Sequence, residues 1–458
     1  MDGLIAGDKV QGRKWIYPLI RKGQYYKWRS AISYVYLLFF FTGPFIRING
    51  QPLLLLNVVE RHFVILGQVF WPQDIFLFVL ASLVFVVCVV LFTIAFGRIF
   101  CGWICPQTIF MEMVFRKVEE WVEGDANKRK KRDAGPWTNE KRLKKIIKHL
   151  LFIIISFLIA NTFLAYIIGS ENLIKIITEP VTMHLVGFAS ICIFTTVFYL
   201  VYSQVRELVC TVICPYGRLQ EVMLDKHTLV VAYNDVRGEP RGKLSKNNDN
   251  LLNPKGDCVD CGLCVSVCPT GIDIRKGTQM ECINCTACID VCDEVMDKIH
   301  KPRSLIGFYS ENGIRTNEKF SFNSRMKAYS GVIIVMMGVL CYFIFSRGDM
   351  DMTIMRGAGM LYQEQPGGYI SNIYNAEIIN KSNNNKTITI RAEDPAIKIK
   401  YIQAPGIINK GSEVKAMFFI MMPASKIHQP KTAIRLQLIS DKQVVQTVST
   451  NFVGPIND

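Results

Sequence analysis

Charge is scarce in this sequence: Asp, Glu, Lys and Arg make up 20% of its 458 residues, while half are hydrophobic. Mean hydropathy is positive, which argues against an ordinary soluble protein and for a membrane protein of several domains. Acidic residues are the scarcer kind, 38 against 53 basic, for a net charge of +15. That excess does not imply nucleic acid, because the basic residues lie beside hydrophobic spans, as in cytoplasmic loops. The first thirty residues have no apolar core, so no cleavable signal peptide is expected. No glycine-rich dinucleotide fingerprint is visible, so NAD(P)H or flavin binding has no local support. Past residue 346 there is no cysteine, which excludes a disulfide-linked immunoglobulin core there.

Five apolar stretches are present, at 31–48, 75–97, 150–168, 182–202 and 328–346. Most approach the roughly 20 residues that cross a bilayer; the first is short and broken by Gly43-Pro44. The stretch 53–70 is interrupted by Glu60-Arg61-His62 and reads as an interfacial or re-entrant segment. Lys and Arg number seven in 1–30 and twelve in 110–149, but only Arg61 falls in 49–74 and only Lys175 in 169–181. The positive-inside rule then puts the N-terminus, 98–149 and 203–327 in the cytoplasm and the chain beyond 347 outside. The run Lys128-Arg129-Lys130-Lys131-Arg132 reads as a solvated loop that attracts anionic lipid headgroups. Near 370–379, 387–392 and 433–439 the pattern alternates as strands do, with turns at Asn383-Asn384-Asn385 and Pro405-Gly406. The expected fold is a mixed membrane protein. An N-terminal segment (1–30) leads to a four-helix membrane domain (31–220), then a ferredoxin-like insert (221–327). A fifth transmembrane helix (328–346) and an immunoglobulin-like β-sandwich suited to protein contact (347–458) follow.

The 15 cysteines are clustered, unlike those of a secreted disulfide scaffold. Cys258-x-x-Cys261-x-x-Cys264-x-x-x-Cys268-Pro269 is followed by Cys282-x-x-Cys285-x-x-Cys288-x-x-x-Cys292. This duplicated spacing is that of a two-cluster bacterial ferredoxin, in which the fourth cysteine of each run reaches the other cube. It assigns Cys258, Cys261, Cys264 and Cys292 to one 4Fe–4S cluster, and Cys268, Cys282, Cys285 and Cys288 to the other. Zinc, which a lone Cys-x-x-Cys pair would favour, fits eight such cysteines poorly. Gly262, Gly271 and Ala287 leave room for the backbone beside the clusters, and Asp293 stands where a proline is usual.

Two further pairs form an internal repeat, Cys101-x-x-x-Cys105-Pro106 and Cys210-x-x-x-Cys214-Pro215, each followed by a glutamate, Glu112 and Glu221. Each proline suits the first turn of a helix, which puts the preceding thiol near an N-cap that favours the thiolate. After Pro106, residues Ile109, Phe110, Met113, Val114, Val118 and Trp121 form an apolar stripe suited to lying on the membrane. The duplication argues against inert packing, the role expected of Cys88, Cys192 and Cys341. A dithiol/disulfide pair and a soft-metal site for copper(I) both remain open. Met111, Met113, Met183 and Met223 offer thioethers, whereas His62 and His184 read as structural histidines.

With these motifs the sequence resembles the cytochrome c oxidase accessory proteins called CcoG, FixG or RdxA. The likeness includes Phe70-Trp71-Pro72-Gln73-Asp74, Phe100-Cys101-Gly102-Trp103-Ile104-Cys105-Pro106-Gln107-Thr108 and Pro215-Tyr216-Gly217-Arg218. Related motifs occur in membrane ferredoxins of nitrate and nitrous-oxide respiration. The resemblance implies a cupric reductase of the bacterial inner membrane that serves assembly of a cbb-type oxidase, with Cys101, Cys105, Cys210 and Cys214 as its copper-handling thiols. It also implies oxidase assembly factors or a copper-transporting ATPase as partners, and leaves the electron donor open. The rival expectations are a quinol-oxidising electron-transfer subunit and a non-enzymatic copper or oxidase-assembly scaffold.

Overall fold

The computed structural model describes residues 15–243, 255–316 and 323–455, apart from 49, 59–61, 358, 360, 383, 428 and 441–442 and the side chains of Arg218 and Glu221. Glu60, Arg61, Asn383 and the Glu221 side chain, all used in the sequence reading, therefore lie outside the described residues. The chain divides into two compact units, residues 1–44 with 78–339 and residues 45–77 with 340–458.

The first unit contains α1 (Gln24–Thr42), which precedes the four helices that, among the described residues, are long and apolar enough to cross a membrane. These are α2 (Ile75–Phe96), α3 (Asn139–Ile168), α4 (Leu185–Leu200, continued by a π turn at Val201–Val205) and α5 (Ser324–Phe345). The first expected span is shifted: α1 starts earlier, takes in Lys27 and Arg29, and ends where Pro44 lacks the amide a helix needs. Gly43 faces the Tyr166 hydroxyl, which donates to the carbonyls of Phe39 and Phe40 at 3.2 and 3.0 Å, so a side chain there would strike α3. Helix α3 starts well before its apolar stretch, because Thr138 caps it by accepting from the Lys141 amide at 3.2 Å.

Two expectations for 106–134 are overturned. The apolar stripe does not lie on a membrane surface: Ile109, Phe110, Met111, Met113 and Phe115 sit on a π-helical segment and are buried in protein. Phe110, Met111 and Phe115 join Phe152, Ile159 and Tyr202 in one core, with Phe115 stacked on Tyr202 at 4.4 Å. Trp121 alone of that stripe is largely exposed. The basic run is a helix, Ala126–Ala134, capped by Asp125, and its Arg129 is buried rather than solvated.

In the second unit, 53–70 is not a re-entrant segment but an antiparallel sheet of Leu54–Asn57, His62–Ile65 and Gln68–Phe70. Leu55, Val64 and Val69 make its small core. The immunoglobulin-like domain is a sandwich of two antiparallel sheets. One sheet orders Lys398–Gln403, Glu413–Pro423, Tyr369–Asn380 and Met350–Arg356; the other orders Ile407–Ile408, Lys386–Ala392, Lys431–Ser440 and Gln443–Val453. Alternate residues turn inward, so Tyr374, Ile378, Phe418, Leu436, Leu438 and Phe452 form the core. With no disulfide, polar ties link the sheets: the Tyr374 hydroxyl donates to the Asn451 carbonyl at 2.9 Å, and Asn372 pairs with Val453. Buried Asp74 is a hub of this unit. It accepts from Lys381 at 2.6 Å, pairs with Arg347, and accepts from the Trp71 amide at 3.4 Å.

Candidate iron–sulfur and thiol site

The two four-cysteine runs fold as a structural repeat. Asp260 and Gly262 in the first, and Asn284 and Thr286 in the second, take the left-handed backbone at φ +50, +65, +52 and +63°. The expected spacer glycine is thus matched by Thr286, not Ala287, and a short helix starts directly after each turn, at Leu263–Ser266 and Ala287–Lys298. Asp293 is where the copies diverge. Proline stops the first helix, whereas Asp293 keeps its amide, lets the second run on, and accepts from the Ser304 amide at 2.8 Å.

One pocket is lined by Cys258, Cys261, Cys264 and Cys292, and another by Cys268, Cys282, Cys285 and Cys288, with Cys264 on its wall. Among the described residues no three His, Cys, Asp or Glu side chains converge tightly enough to hold a single metal ion. Four sulfurs set around a pocket without converging on one point suit a four-iron cube with four thiolates, not a zinc ion bonded to each sulfur at about 2.3 Å. Burial, then the neighbouring thiols, pushes Cys292 up to about 12; burial likewise lifts Cys282 to about 12 and Cys285 to about 11. Iron bound by these thiols would have to displace protons that burial favours keeping on them.

The paired motifs sit at the ends of α2 and α4. Beyond α2 the chain turns at Gly97 (φ +56°), and the helix Ile99–Trp103 carries Cys101. Cys105 is the N-cap of the helix that starts at Pro106. Beyond α4 the chain turns at Arg206 (φ +56°), the π turn Val209–Ile213 carries Cys210, and Cys214 precedes the helix Pro215–Met223. The four thiols are neighbours, although no three of them converge on one point: the charge of Cys105, Cys210 or Cys214 would be felt at Cys101, whose Sγ donates to the Gln220 side chain at 3.5 Å. Burial pushes Cys101 and Cys210 up to about 12. The expected helix-end effect exists at Cys105, where the amides of Gln107 and Thr108 favour the thiolate, but burial outweighs it and the net shift is upward. Of the four methionines, Met111 lines a pocket with Cys210, Glu112 and Glu207, whereas Met183 is exposed. His184 pairs with Glu179 at 2.6 Å and His62 packs on Trp71. Cys192 and Cys341 lie exposed on α4 and α5, and Cys88 is half-buried on α2.

The second cysteine loop is seated on this thiol site. Arg29 donates to the Cys285 carbonyl at 3.0 Å and Trp103 to that of Asn284 at 3.3 Å, while the end of the first run is held by Arg116 at the Pro269 carbonyl, 3.1 Å away. The amides of Tyr25 and Tyr26 donate to the Asp290 carboxylate at 2.9 and 2.7 Å.

Sequence reasoning missed a buried ion network beneath the site. Arg206 makes two bonds to Glu119 at 2.8 and 2.9 Å, Arg129 a third at 2.9 Å, and Arg116 pairs with Glu112 at 2.6 Å. Burial alone would raise Glu119, but Arg206, Lys148 and Arg129 overcome it and hold the carboxyl at about 2. Glu119 and Arg116, three apart on one helix with the basic run beyond, were the available signal.

Comparison with known proteins agrees with this picture. A family model described as a 4Fe-4S dicluster domain matches residues 205–311, one described as a 4Fe-4S binding domain matches 78–129, and one described as an Ig-like fold at the C-terminus of FixG matches 340–455. The nitrogen fixation protein FixG of Rhizobium meliloti is 31% identical over 85% of this chain and 81% of its own length. Proteins RdxB and RdxA of Cereibacter sphaeroides are 34% and 32% identical over 81% of this chain, and over 80% and 79% of theirs. Together with the apolar helices, the matches make this an iron–sulfur electron-transfer protein of a membrane.

Proposed function

The chain belongs to the FixG/RdxA family, and from that footing we propose that it reduces Cu(II) to Cu(I) at Cys101, Cys105, Cys210 and Cys214 for assembly of a cbb-type cytochrome c oxidase. The observation that carries this reading is the grouping of four half-buried thiols against the second cysteine loop. Cys258, Cys261, Cys264 and Cys292 would hold one 4Fe–4S cluster, and Cys268, Cys282, Cys285 and Cys288 the other, supplying one-electron transfer when bound. Anaerobic metal analysis should then find about eight iron atoms per chain. About twelve would put a further cluster on the paired motifs and displace copper from them.

Thiolates hold Cu(I) better than Cu(II), so a copper ion on this site is easier to reduce. Binding displaces the protons that burial keeps on Cys101 and Cys210. Met111, on the cavity wall beside Cys210, adds a thioether. Each ion takes up one electron, which a one-electron donor must replace. In this reading the membrane is the bacterial inner membrane, and the partners are oxidase assembly factors or a copper-transporting ATPase.

The cysteine-rich insert is cytoplasmic and the sandwich periplasmic. Loop charge supports this, and so does the folding of 45–77 with the sandwich into one unit while the Leu19 amide donates to Ser266 of the insert at 2.9 Å. Reporters fused after Lys276 and after Asn384 should fall on opposite sides; the same side for both would refute the arrangement. The purified protein, reduced and anaerobic, should convert Cu(II) to a form trapped by a Cu(I)-specific chelator. No reduction by an iron-replete protein would sink the proposal and move quinol oxidation ahead.

A further inference from the structure

We propose that Gly102 is a positioning residue that seats the second cysteine loop on the thiol site, making that loop the electron outlet and the first loop the intake. This inference rests on the cupric-reductase reading. Gly102 lies inside the helix Ile99–Trp103, between Cys101 and Cys105, and its backbone is not left-handed. Glycine weakens a helix interior relative to alanine, so a requirement for it must come from space. A Cβ on Gly102 would collide with the Ile283 carbonyl oxygen and stand 2.9 Å from both the amide nitrogen and the Cα of Cys285. All three are backbone atoms, so none can rotate away. The bonds from Trp103 to the Asn284 carbonyl and from Arg29 to the Cys285 carbonyl hold the loop at that distance. Cys285, Asn284 and Thr286 are buried as a result.

Among the described residues the first loop, with the same left-handed pair at Asp260 and Gly262, has no such cover at that glycine. Cys261 is exposed, and a Cβ on Gly262 would meet nothing within 4 Å. Asp260 projects to solvent, held by Arg275 at 2.5 Å. A one-electron donor in the aqueous phase can approach there, whereas the second loop is closed to it by the thiol motif itself. One electron enters at the first loop for each one that leaves from the second to Cu(II).

The test uses the full-length protein in detergent with Gly102→Ala, Gly102→Val and Trp103→Phe. Iron content is measured first, then the rate at which Cu(II) reoxidises the chemically reduced protein, and the rate of maleimide labelling of Cys101 and Cys105 in iron-loaded protein. A displacement of about 1 Å should slow reoxidation about tenfold to a hundredfold, more in the valine than in the alanine variant, while labelling quickens and iron stays. Trp103→Phe, which removes the indole N–H and trims the ring but keeps an aromatic side chain, should shift both rates the same way by less. Wild-type reoxidation and labelling in an iron-replete Gly102→Val protein would overturn the proposal. If the Gly102 variants lose iron, unchanged rates in iron-replete Trp103→Phe would overturn it. If the wild type itself is not reoxidised by Cu(II), the cupric reading fails, and the labelling rates still decide whether Gly102 seats the loop.

Discussion

The two Cys-x-x-x-Cys-Pro motifs read almost alike, yet they are held differently. Cys101-Gly102-Trp103-Ile104-Cys105 lies on an α-helical turn pressed against the second cysteine loop, with glycine at the contact and an indole tying it down. In Cys210-Thr211-Val212-Ile213-Cys214 the turn is π-helical, the Thr211 hydroxyl only bonds back to the Glu207 carbonyl at 3.2 Å, and Val212 and Ile213 are exposed. A duplicated motif can thus divide its duties: both copies present thiols, and one of them also docks a neighbour. What distinguishes them is not the cysteines but the residues between.

The strongest way to break that comparison is to remove the shared feature. Loss of outer-shell partners alone costs metal sites 10–100-fold, so serine at all four motif cysteines should lower Cu(II) reduction by more than about a hundredfold. Iron content should remain that of wild type. Normal reduction by an iron-replete quadruple variant would remove copper from the site. The paired variants sharpen the point: Cys101→Ser with Cys105→Ser and Cys210→Ser with Cys214→Ser should both fail, since thiols are what the copies have in common.

The next effect concerns what supports both copies from below. Removing one partner of a buried ion pair costs about 3–5 kcal/mol, so Glu119→Gln should lower the thermal midpoint in detergent markedly, leaving Arg206 and Arg129 without their carboxylate. The pH dependence has a definite sign. Because folding holds the Glu119 carboxyl down at about 2, its contribution is fully present above the ordinary glutamate range, near 4.3. It is lost as pH falls from there through about 2. The wild type should therefore lose more stability than Glu119→Gln across that interval; equal losses would show the carboxylate carries none of it.

The smallest effect probes the difference between the copies directly. Thr211→Gly puts in the second motif the residue that matters in the first. It should cost under about 1 kcal/mol and leave the Cu(II) reduction rate within about twofold of wild type, an allowance of roughly 0.4 kcal/mol at 1.36 kcal/mol per decade. A drop comparable to that of Gly102→Val would mean the two motifs are equivalent after all.

Much of this arrangement was legible in the chain. Cluster ligation requires thiols at fixed local spacing, so Cys258 to Cys292 announced themselves, and alternation did the same for strands such as Lys386–Ala392. What stayed hidden depended on partners distant in sequence. Arg129 and Lys148 look like solvated charges until Glu119 and Glu123 close over them, and so does Arg116 until Glu112 and Glu207 do. Ile109 to Phe115 look like a membrane face until Phe152 and Tyr202 cover it. Gly102 looks like an ordinary small residue, because its neighbour is the backbone of a loop some 180 residues away.

Asp74 has a mechanical consequence. It immediately precedes α2, and its partner Arg347 follows the end of α5, while its other partner, Lys381, lies just beyond the sandwich strand Tyr369–Asn380. A single carboxylate therefore fastens the start of α2, the end of α5 and the sandwich to one point. A tug on the sandwich reaches both helices together, as load on a shared rivet does, and neither can slide lengthwise past the other without first breaking that joint.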